Sequence, residues 1–350
     1  MVRHIFILLA ALVLSPQVFA APAGVVDAIT VSAVGDVMMG TTYPTDTLPS
    51  DGGKKLFKYS KEYLKAADIR VGNLEGTLYD GAVALDGKAT GPNRYLFRTP
   101  TTYAPLLVDA GFNVMSLANN HAMDFGKAGI ESTKKTLQAN GIQYSSKMGK
   151  EVAQFNIRGI KVALISCDFY SGPRSISTPD ATYAEIRELK KNFDIVIVTA
   201  HAGGEGRGAE RVKNAPEIFL GENRGNSVAF ARTAIDNGAS LILMSGPHVP
   251  RGMEVYKNKL IAYSLGNFVT GRGINIEGYA GVAPLLRVQM DRNGNFTQGH
   301  LASFRQARDN GAVYDKTGYA FNFVSKLSEL DFPQTMPQFD EKTGRISPAK

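Results

Sequence analysis

Short, mainly apolar runs rich in Val, Ile and Leu constrain the fold of this 350-residue chain more than any other feature. They occupy residues 29–34, 112–117, 160–166, 195–200 and 240–244. Runs of this kind are typical of strands buried on both faces of a sheet. Patterns with helical periodicity lie between them, near residues 55–67, 101–110, 127–140, 181–192 and 225–237. The alternation predicts an α/β fold, in which βα units build a largely parallel sheet.

The pattern changes after residue 250, where strand-like segments follow one another without intervening helices. Two segments flank Asn258, and two more flank the pair Asn293-Gly294, which is a strong hairpin signal. We therefore expect the last part of the sheet to be antiparallel. Residues 318–330 predict a closing helix, and residues 331–350 predict a polar, loosely ordered tail. Without an internal repeat or low-complexity linker, residues 21–330 are predicted to form a single domain.

The first 20 residues resemble a secretory signal peptide. Arg3 gives a basic start, an apolar stretch follows, and Ala20 ends a small-residue exit. The apolar stretch is shorter than the roughly 20 residues that a membrane-spanning helix needs, so an uncleaved anchor is only the alternative. The sequence predicts export to the periplasm or the exterior, with cleavage near Ala20 and Ala21.

Composition narrows the classes of partner. Hydrophobic residues make up 44% and charged residues 20% of the chain, as in a globular protein with a full core. The net charge of +7 is spread without a basic run, so it either attracts anionic substrates or marks a basic surface without a partner. No nucleic-acid-binding motif is present. The single cysteine, Cys167, excludes an internal disulfide and is predicted to be a buried, inert thiol.

Five polar clusters stand where predicted strands end. They occupy residues 35–40, 72–75, 119–121, 201–205 and 246–248. Ligands of open α/β sheets bind outside the carboxyl ends of the strands, where the loops converge. Asp, Glu, Asn and His side chains gathered at one such edge are ligands for a divalent metal ion. The clusters predict a metal-dependent hydrolytic centre rather than a pocket for an organic cofactor.

Each metal-ligand prediction has a structural alternative. Asp36 can bind a cation, or it can cap a helix or close a turn. Glu75 can bridge two ions, or it can pair with an arginine. His201 and His248 follow strands beside glycines, as ligands do, but a lone histidine is more often part of a core.

The sequence Asn119-Asn120-His121 is more specific. An amide oxygen is a credible ligand, and an imidazole that binds no metal can act as a general acid near neutral pH. The alternative is a local network in which the Asn side chains cap a helix that begins near Asp124. Capping would use only one of three polar side chains, so the cluster favours a functional role.

The order of the motifs resembles that of the CapA family of capsule and poly-γ-glutamate biosynthesis proteins, across residues 28–306. The motifs are Gly-Asp-Val-Met-Met (35–39), Asn-Leu-Glu-Gly (73–76), Phe-Arg-Thr-Pro (97–100), Ser-Leu-Ala-Asn-Asn-His-Ala-Met-Asp-Phe-Gly (116–126), His-Ala-Gly-Gly-Glu (201–205), Gly-Pro-His-Val (246–249) and Tyr-Ser-Leu-Gly-Asn-Phe (263–268). This family resembles a branch of the calcineurin-like metallophosphatases. The resemblance implies a four-layer α/β/β/α sandwich with mixed sheets and a metal centre at one sheet edge.

The resemblance also implies roles for individual residues. His121 corresponds to the general acid, and the ligands of one or two divalent ions (Mn, Fe, Zn or Mg) correspond to Asp36, Glu75, Asn120, His201 and His248. Two positions depart from the superfamily pattern. Met38 stands where the first motif has a His, and Ser245 stands where many relatives have another. Methionine is a poor ligand for hard divalent ions, so we expect fewer ligands than in a full two-metal phosphatase.

These residues predict an exported, metal-dependent hydrolase that acts on an anionic cell-envelope polymer, poly-γ-glutamate or another capsule component, beside the machinery of polymer synthesis or export. Arg98, Arg207 and Arg251 lie near the clusters in sequence and could bind the anion, or each could be a surface charge. Two alternatives stay open: a non-catalytic factor that binds polymer, and a phosphoesterase for small phosphate esters that is unconnected with capsule.

Overall fold

The computed structural model describes residues 28–82, 86–88, 91 and 95–349, so the predicted signal peptide lies outside it. The α-helices of this part are α1 (Lys61–Lys65), α2 (Ala104–Ala110), α3 (Gly126–Ala139), α4 (Asp180–Lys190), α5 (Ser227–Asp236) and α6 (Tyr319–Asp331). None of the helices in the described ranges is long and apolar enough to cross a membrane. Helices α2 to α6 confirm the helical patterns predicted from residue 101 onward.

The strands in the same ranges, in chain order, are β1 (Ala28–Val37), β2 (Ile69–Leu74), β3 (Thr77–Leu78), β4 (Arg98–Thr99), β5 (Val114–Ser116), β6 (Gln143–Ser145), β7 (Ala153–Ile157), β8 (Ile160–Asp168), β9 (Ile195–His201), β10 (Ile218–Phe219), β11 (Glu222–Asn223), β12 (Leu241–Ser245), β13 (Met253–Tyr256), β14 (Lys259–Ala262), β15 (Asn267–Val269), β16 (Val282–Asp291), β17 (Phe296–Ala307), β18 (Gly311–Tyr314), β19 (Gln338–Asp340) and β20 (Arg345–Ser347). Each of the five apolar runs of the sequence overlaps a strand, although β5 is only Val114–Ser116, shorter than the run at 112–117.

The larger sheet has ten strands and is mixed. Strand β1 lies near its centre and is parallel to β2, which continues into the parallel strands β5 and β6. On its other side β1 is antiparallel to β16, and β16 is antiparallel to β17. The short strand β15 is parallel to the end of β1. The antiparallel hairpin predicted around Asn293-Gly294 is therefore confirmed.

The smaller sheet has six strands in the order β13-β14-β12-β9-β8-β7. Its four inner strands are parallel, and the edge strands β7 and β13 are antiparallel to their neighbours. Strands β13 and β14 form the hairpin predicted at Asn258. Two-residue pairings between β3 and β4 and between β10 and β11 lie outside both sheets.

Three apolar cores separate four layers. The inner faces of the two sheets pack on each other, as shown by Val31 of β1 and Ile197 of β9 in one cluster. The outer face of the larger sheet packs on α1, α2 and α3, for example through Leu137. The outer face of the smaller sheet packs on α4 and α5, for example through Ile186. The predicted α/β/β/α sandwich with mixed sheets is confirmed.

Two details of the sequence prediction are wrong. The segment after residue 330 is not a loose tail, because β19 and β20 form a hairpin and β20 pairs with β17. Its anchor is Ile346, which is 1% exposed, and one apolar residue in a three-residue strand produces no periodic signal. The pattern at 55–67 yields only the short helix α1, because the preceding residues form successive turns that include Gly52 and Gly53 with positive φ.

Candidate metal centre

The carboxyl ends of strands from both sheets meet at one point. Asp36 lies at the end of β1 and Glu75 directly follows β2 in the larger sheet, whereas His248 follows β12 in the smaller one. Asp36 Oδ2 lies 3.0 Å from His248 Nδ1, and Glu75 Oε1 lies 3.6 Å from His248 Nε2. One ligand atom from each of these residues lies within 4.8 Å of the other two. The structure thus brings together three of the five predicted ligands as a possible cation site.

Asp36 is fully buried and its backbone is irregular. The pairing of β1 with β2 shifts register between Ala33 and Asp36, and such bulges change the direction in which a side chain points. The Asp36 amide donates to the Gly266 carbonyl at 2.9 Å. A Cβ at Gly35 would stand 1.7 Å from that same oxygen, so only glycine permits this approach. Asn73 Nδ2 completes the setting by donating to Asp36 Oδ1 at 2.9 Å.

His248 is held by Asn267 in a strained conformation, with φ of 59°. The amide nitrogen of Asn267 donates to the carbonyls of Asn275 and Ala280, which turns its oxygen toward His248 Nδ1 at 3.0 Å. Because that oxygen is an acceptor, Nδ1 carries a proton. The other ring nitrogen, Nε2, then faces Glu75, which is the arrangement that supports ligation.

His201 is the last residue of β9 and is 1% exposed. Its Nδ1 lies 3.4 Å from both Asn73 Nδ2 and Ser245 Oγ. Asn73 is fixed in turn by Asn119, which donates to its oxygen at 2.9 Å. Through Asn73, His201 is linked to Asp36 across the two sheets. Ser245 thus faces this centre through its hydroxyl group.

His121 forms a pair with Asp124 at the edge of the same group. Asp124 Oδ2 lies 2.8 Å from His121 Nδ1, and the His121 ring lies 4.3 Å from the Phe97 ring. Asp124 is fully buried and also accepts from the Phe97 amide at 2.7 Å. The local alternative is observed in part, because Asn119 Oδ1 accepts from the His121 amide at 3.0 Å in the turns before α3, whereas α3 itself has no side-chain cap hydrogen bond. Asp124 instead orients the imidazole through Nδ1 and leaves Nε2 for other partners.

Several buried ligand-type atoms have no hydrogen-bond partner. Among the described residues, these atoms include both carboxylate oxygens of Glu75, Oδ1 of Asn120 and Nε2 of His201. Buried polar atoms in folded proteins nearly always have partners, because leaving them bare costs free energy. Carboxylate, amide and imidazole acceptors are the atoms that a divalent cation satisfies together. Glu75 shares a close group of ligand atoms with Asp36 and His248, and these three residues fit a divalent metal ion; His201 is not part of that group.

Met38 does not belong to the donor set. Its side chain is 1% exposed, and its sulfur accepts a hydrogen bond from the Gly40 amide at 3.3 Å. The sulfur also packs under Gly273, where an added Cβ would stand 2.2 Å from the Met38 methyl group. Met38 is a packing residue beneath the loop that follows β15.

The titratable side chains of the centre have pKa values far from their usual ones. Burial and the charge of Asp36 raise the pKa of Glu75 well above its usual value. Burial alone would lower the pKa of His248, but Glu75 and Asp36 outweigh it and raise that pKa to about 10. Burial lowers the pKa of His201 to about 3 despite the attraction of Asp36, so His201 is neutral and its lone pair is available. Two close carboxylates held by one imidazolium create a site that favours a cation.

Two of the three arginines predicted to bind substrate have other partners. Arg251 is fully buried, and its guanidinium makes two hydrogen bonds to Glu217 at 2.8 and 2.7 Å. Arg98 donates to the Gly81 carbonyl at 2.7 Å and to the Thr42 hydroxyl at 3.0 Å. Both side chains are thus held by partners that are distant in sequence, and their binding of an anion stays a prediction. Arg207 is exposed, and its role stays a prediction.

The sequence did not single out five polar residues that complete the surroundings: Asn73, Asp124, Glu205, Arg224 and Asn267. Four of them stand inside the motifs quoted above, but nothing in those motifs indicated what role each residue has. Arg224 stands outside every motif and is reached only through its contacts. Polar residues adjacent to a predicted ligand are therefore the signal that could have found most of this set.

Comparison with known proteins agrees with the motifs. The chain is 30% identical to "PGA biosynthesis protein CapA" of Bacillus subtilis (strain 168), over 71% of this chain and 64% of that protein. It is 31% identical to "Capsule biosynthesis protein CapA" of Bacillus anthracis, over 70% and 60% respectively. It thus spans less than two thirds of either protein. A similar solved structure is a 5'-nucleotidase precursor from Thermus thermophilus, with TM-score 0.45, 14% identity, and coverage of 87% of this chain and 59% of that chain.

A family match covers most of the chain described above. Residues 30–272 match the family described as "Bacterial capsule synthesis protein PGA_cap", a range that includes every residue of the centre. The resemblance predicted from the ordered motifs is confirmed. This chain belongs to the PGA_cap family of bacterial capsule synthesis proteins.

Proposed function

We propose that the protein is an exported, metal-dependent hydrolase that acts on an anionic envelope polymer during capsule or poly-γ-glutamate synthesis. The observation that carries the proposal is the set of buried, unpartnered acceptor atoms on Glu75, Asn120 and His201, beside an oriented His121–Asp124 pair. A purely structural site has no use for bare acceptors next to an oriented imidazole. The names of the Bacillus relatives support the choice of polymer.

Five residues would hold the cation: Asp36, Glu75, Asn120, His201 and His248. When bound, the ion would supply an activated water and polarise the bond to be cleaved. The chain's own contribution to proton transfer is His121, whose Nδ1 is fixed on Asp124 and whose Nε2 is left to exchange a proton. Burial lowers the pKa of His121 even though Asp124 opposes this effect, so the ring is neutral at rest. It can accept a proton at Nε2 from the water that attacks the substrate, be stabilised by Asp124 as imidazolium, and pass that proton to the leaving group.

A second candidate is a non-catalytic factor that binds polymer and assists its synthesis or export. Met38 and Ser245 favour it, because neither supplies the imidazole that the resemblance associates with a two-metal centre. The hydrolase is preferred because the His121–Asp124 pair is intact and fixes the imidazole by Nδ1 alone. A binding protein would need the cation but not this pair.

The test combines metal analysis with hydrolysis assays on the purified protein. We expect close to one equivalent of a divalent ion, and metal-dependent turnover of poly-γ-glutamate or of a phosphodiester that is abolished by EDTA. A protein that binds the ion and the polymer but turns over neither substrate would support the accessory factor. Turnover of small phosphate esters alone, with no effect on polymer, would point to a general phosphoesterase.

A further inference from the structure

Glu205 stands in the loop after β9 and directs one carboxylate oxygen at the centre. Its Oε2 lies 4.0 Å from His248 Nε2, the same nitrogen that lies 3.6 Å from Glu75 Oε1. Atoms that bind one ion at about 2.0–2.6 Å are roughly 3–4 Å apart from one another. Glu205 Oε2 and Glu75 Oε1 therefore each lie at a distance from the same His248 nitrogen that two ligands of one ion can have.

Arg224 holds the other oxygen of Glu205 through an Nη1 hydrogen bond of 2.6 Å. The Arg224 side chain is 5% exposed, and its guanidinium lies 4.1 Å from the ring centroid of Phe169 and 5.2 Å from that of Phe219. A guanidinium that packs against two aromatic rings is held in place by these contacts. Glu205 is thus anchored by one oxygen while the other is left to face the centre.

A second carboxylate shares the same arginine on its outer side. Glu222 Oε2 lies 3.0 Å from Arg224 Nη2, and the Glu222 side chain is 43% exposed. One cation paired with two carboxylates leaves a net negative charge at this wall of the centre. Glu222 touches solvent and Glu205 touches the centre, so the chain itself offers a matched comparison between them.

We propose that Glu205 is a further carboxylate of this metal centre and that Arg224 is the residue that positions it. The inference rests on the proposed metal site and adds a ligand that compensates for Met38, whose sulfur is engaged by Gly40. The added donor is an oxygen, and carboxylate-rich donor sets suit Mn²⁺ and Mg²⁺ better than ions that prefer nitrogen and sulfur. Glu205 therefore shifts the selectivity of the centre toward a hard divalent ion.

Calorimetric titration of the EDTA-treated protein with Mn²⁺, and separately with Zn²⁺, tests the assignment. We expect Glu205→Gln to weaken Mn²⁺ binding by about 10–100-fold and Zn²⁺ binding by less. Glu222→Gln, the matched control, should bind Mn²⁺ within about threefold of the wild type, because its oxygen contacts Arg224 on the solvent side. Equal loss in the two variants, or no loss in Glu205→Gln, would overturn the proposal. A wild type that binds no divalent ion would instead refute the proposed function.

The role of Arg224 is tested through its dependence on Glu205. Arg224→Gln should weaken Mn²⁺ binding about as much as Glu205→Gln, and the double variant should be no weaker than either, because both changes remove one interaction. Arg224→Lys keeps the charge and should recover part of the affinity even if Arg224→Gln folds poorly. Losses that add in the double variant would mean that Arg224 does not act through Glu205.

Discussion

Glu75→Gln should reverse the order of stability between the variant and the wild type when metal is added. In the metal-free protein, Glu75 is fully buried and neither carboxylate oxygen has a hydrogen-bond partner among the described residues. Glutamine has the same shape without the charge, so the variant should be more stable by about 1 kcal/mol. Burial and Asp36 raise the pKa of Glu75, so the folded state binds its proton more tightly than the unfolded chain does. As the pH rises above the unfolded pKa, the Glu75 carboxyl group therefore lowers the free energy of unfolding of the wild type. The excess stability of Glu75→Gln over the wild type should grow from pH 5 to pH 8.

Metal should favour the wild type. At a free Mn²⁺ concentration of 100 times its Kd, the wild type gains about 2.7 kcal/mol. Loss of a residue that only orients a ligand weakens metal binding by about 10–100-fold. Glu75 is a proposed direct ligand, so we expect its loss to weaken Mn²⁺ binding by about 100-fold. The variant then gains about 0.4 kcal/mol at the same concentration. At about 2.1 cal/mol/K of unfolding entropy per residue, the difference of about 2.3 kcal/mol corresponds to roughly 3–4 °C in Tm for a chain of this length.

Thermal unfolding of EDTA-treated protein, followed by circular dichroism with and without Mn²⁺, measures both effects. Glu188→Gln is the control, because Glu188 is an exposed carboxylate that pairs with the surface residue Lys191. It should change neither the metal-free Tm nor the Mn²⁺ shift by more than about 1 °C. The reasoning is refuted if Mn²⁺ raises the Tm of Glu75→Gln as much as that of the wild type, or if the metal-free variant is the less stable protein.

Three further outcomes follow from other parts of the molecule. His121→Ala should lower metal-dependent turnover by about 10²–10⁴-fold while leaving Mn²⁺ affinity within a few fold, and unaltered turnover would remove His121 from proton transfer. Gly35→Ala should destabilise the fold by about 3 kcal/mol in urea unfolding, because its Cβ would stand 1.7 Å from the Gly266 carbonyl oxygen. Gly204→Ala, whose Cβ would stand 3.6 Å from its nearest neighbour, should unfold close to the wild type. Asp68→Asn should lower the free energy of unfolding at pH 7. Burial raises the pKa of Asp68, but hydrogen bonds from Arg158 and Thr30 outweigh burial and lower this pKa below 3.8. This stabilisation is present above the unfolded pKa and is lost as pH falls through the folded pKa, so acid unfolding curves of variant and wild type should converge below about pH 3.

Most of the sandwich could be predicted because its strands are buried on both faces. Strand β9, for instance, is a run of apolar residues that ends in His201, so the strand and the position of its ligand were visible together. The same reasoning located Asp36 and Glu75 at neighbouring strand ends. That they converge with His248 could not follow from periodicity, because it depends on how the second sheet packs on the first.

The contacts that fix each side chain were beyond sequence reasoning. In the sequence Arg251 has no evident partner. In the structure it pairs with Glu217, which lies 34 residues earlier, beyond a loop with no regular pattern. Glu205 meets Arg224 because the Gly203 amide donates to the Arg224 carbonyl at 3.0 Å, which joins the residue after the β10–β11 hairpin to the loop after β9. Neither hairpin strand is longer than two residues, so no alternation revealed it. Ion pairs of this kind are set by tertiary packing, which a single sequence records only indirectly.

The centre draws its residues from both sheets, with Asp36 and Glu75 on one side and His201 and His248 on the other. A bound ion would thus act as a cross-link between two layers whose shared core is built from apolar side chains. A chain with one cysteine cannot form that link as a disulfide. When the layers part during unfolding, the ion must release one set of ligands, so occupancy would set the lifetime of the folded state as well as its equilibrium stability. Depletion of the metal would then shorten the working life of the protein even where no substrate is present.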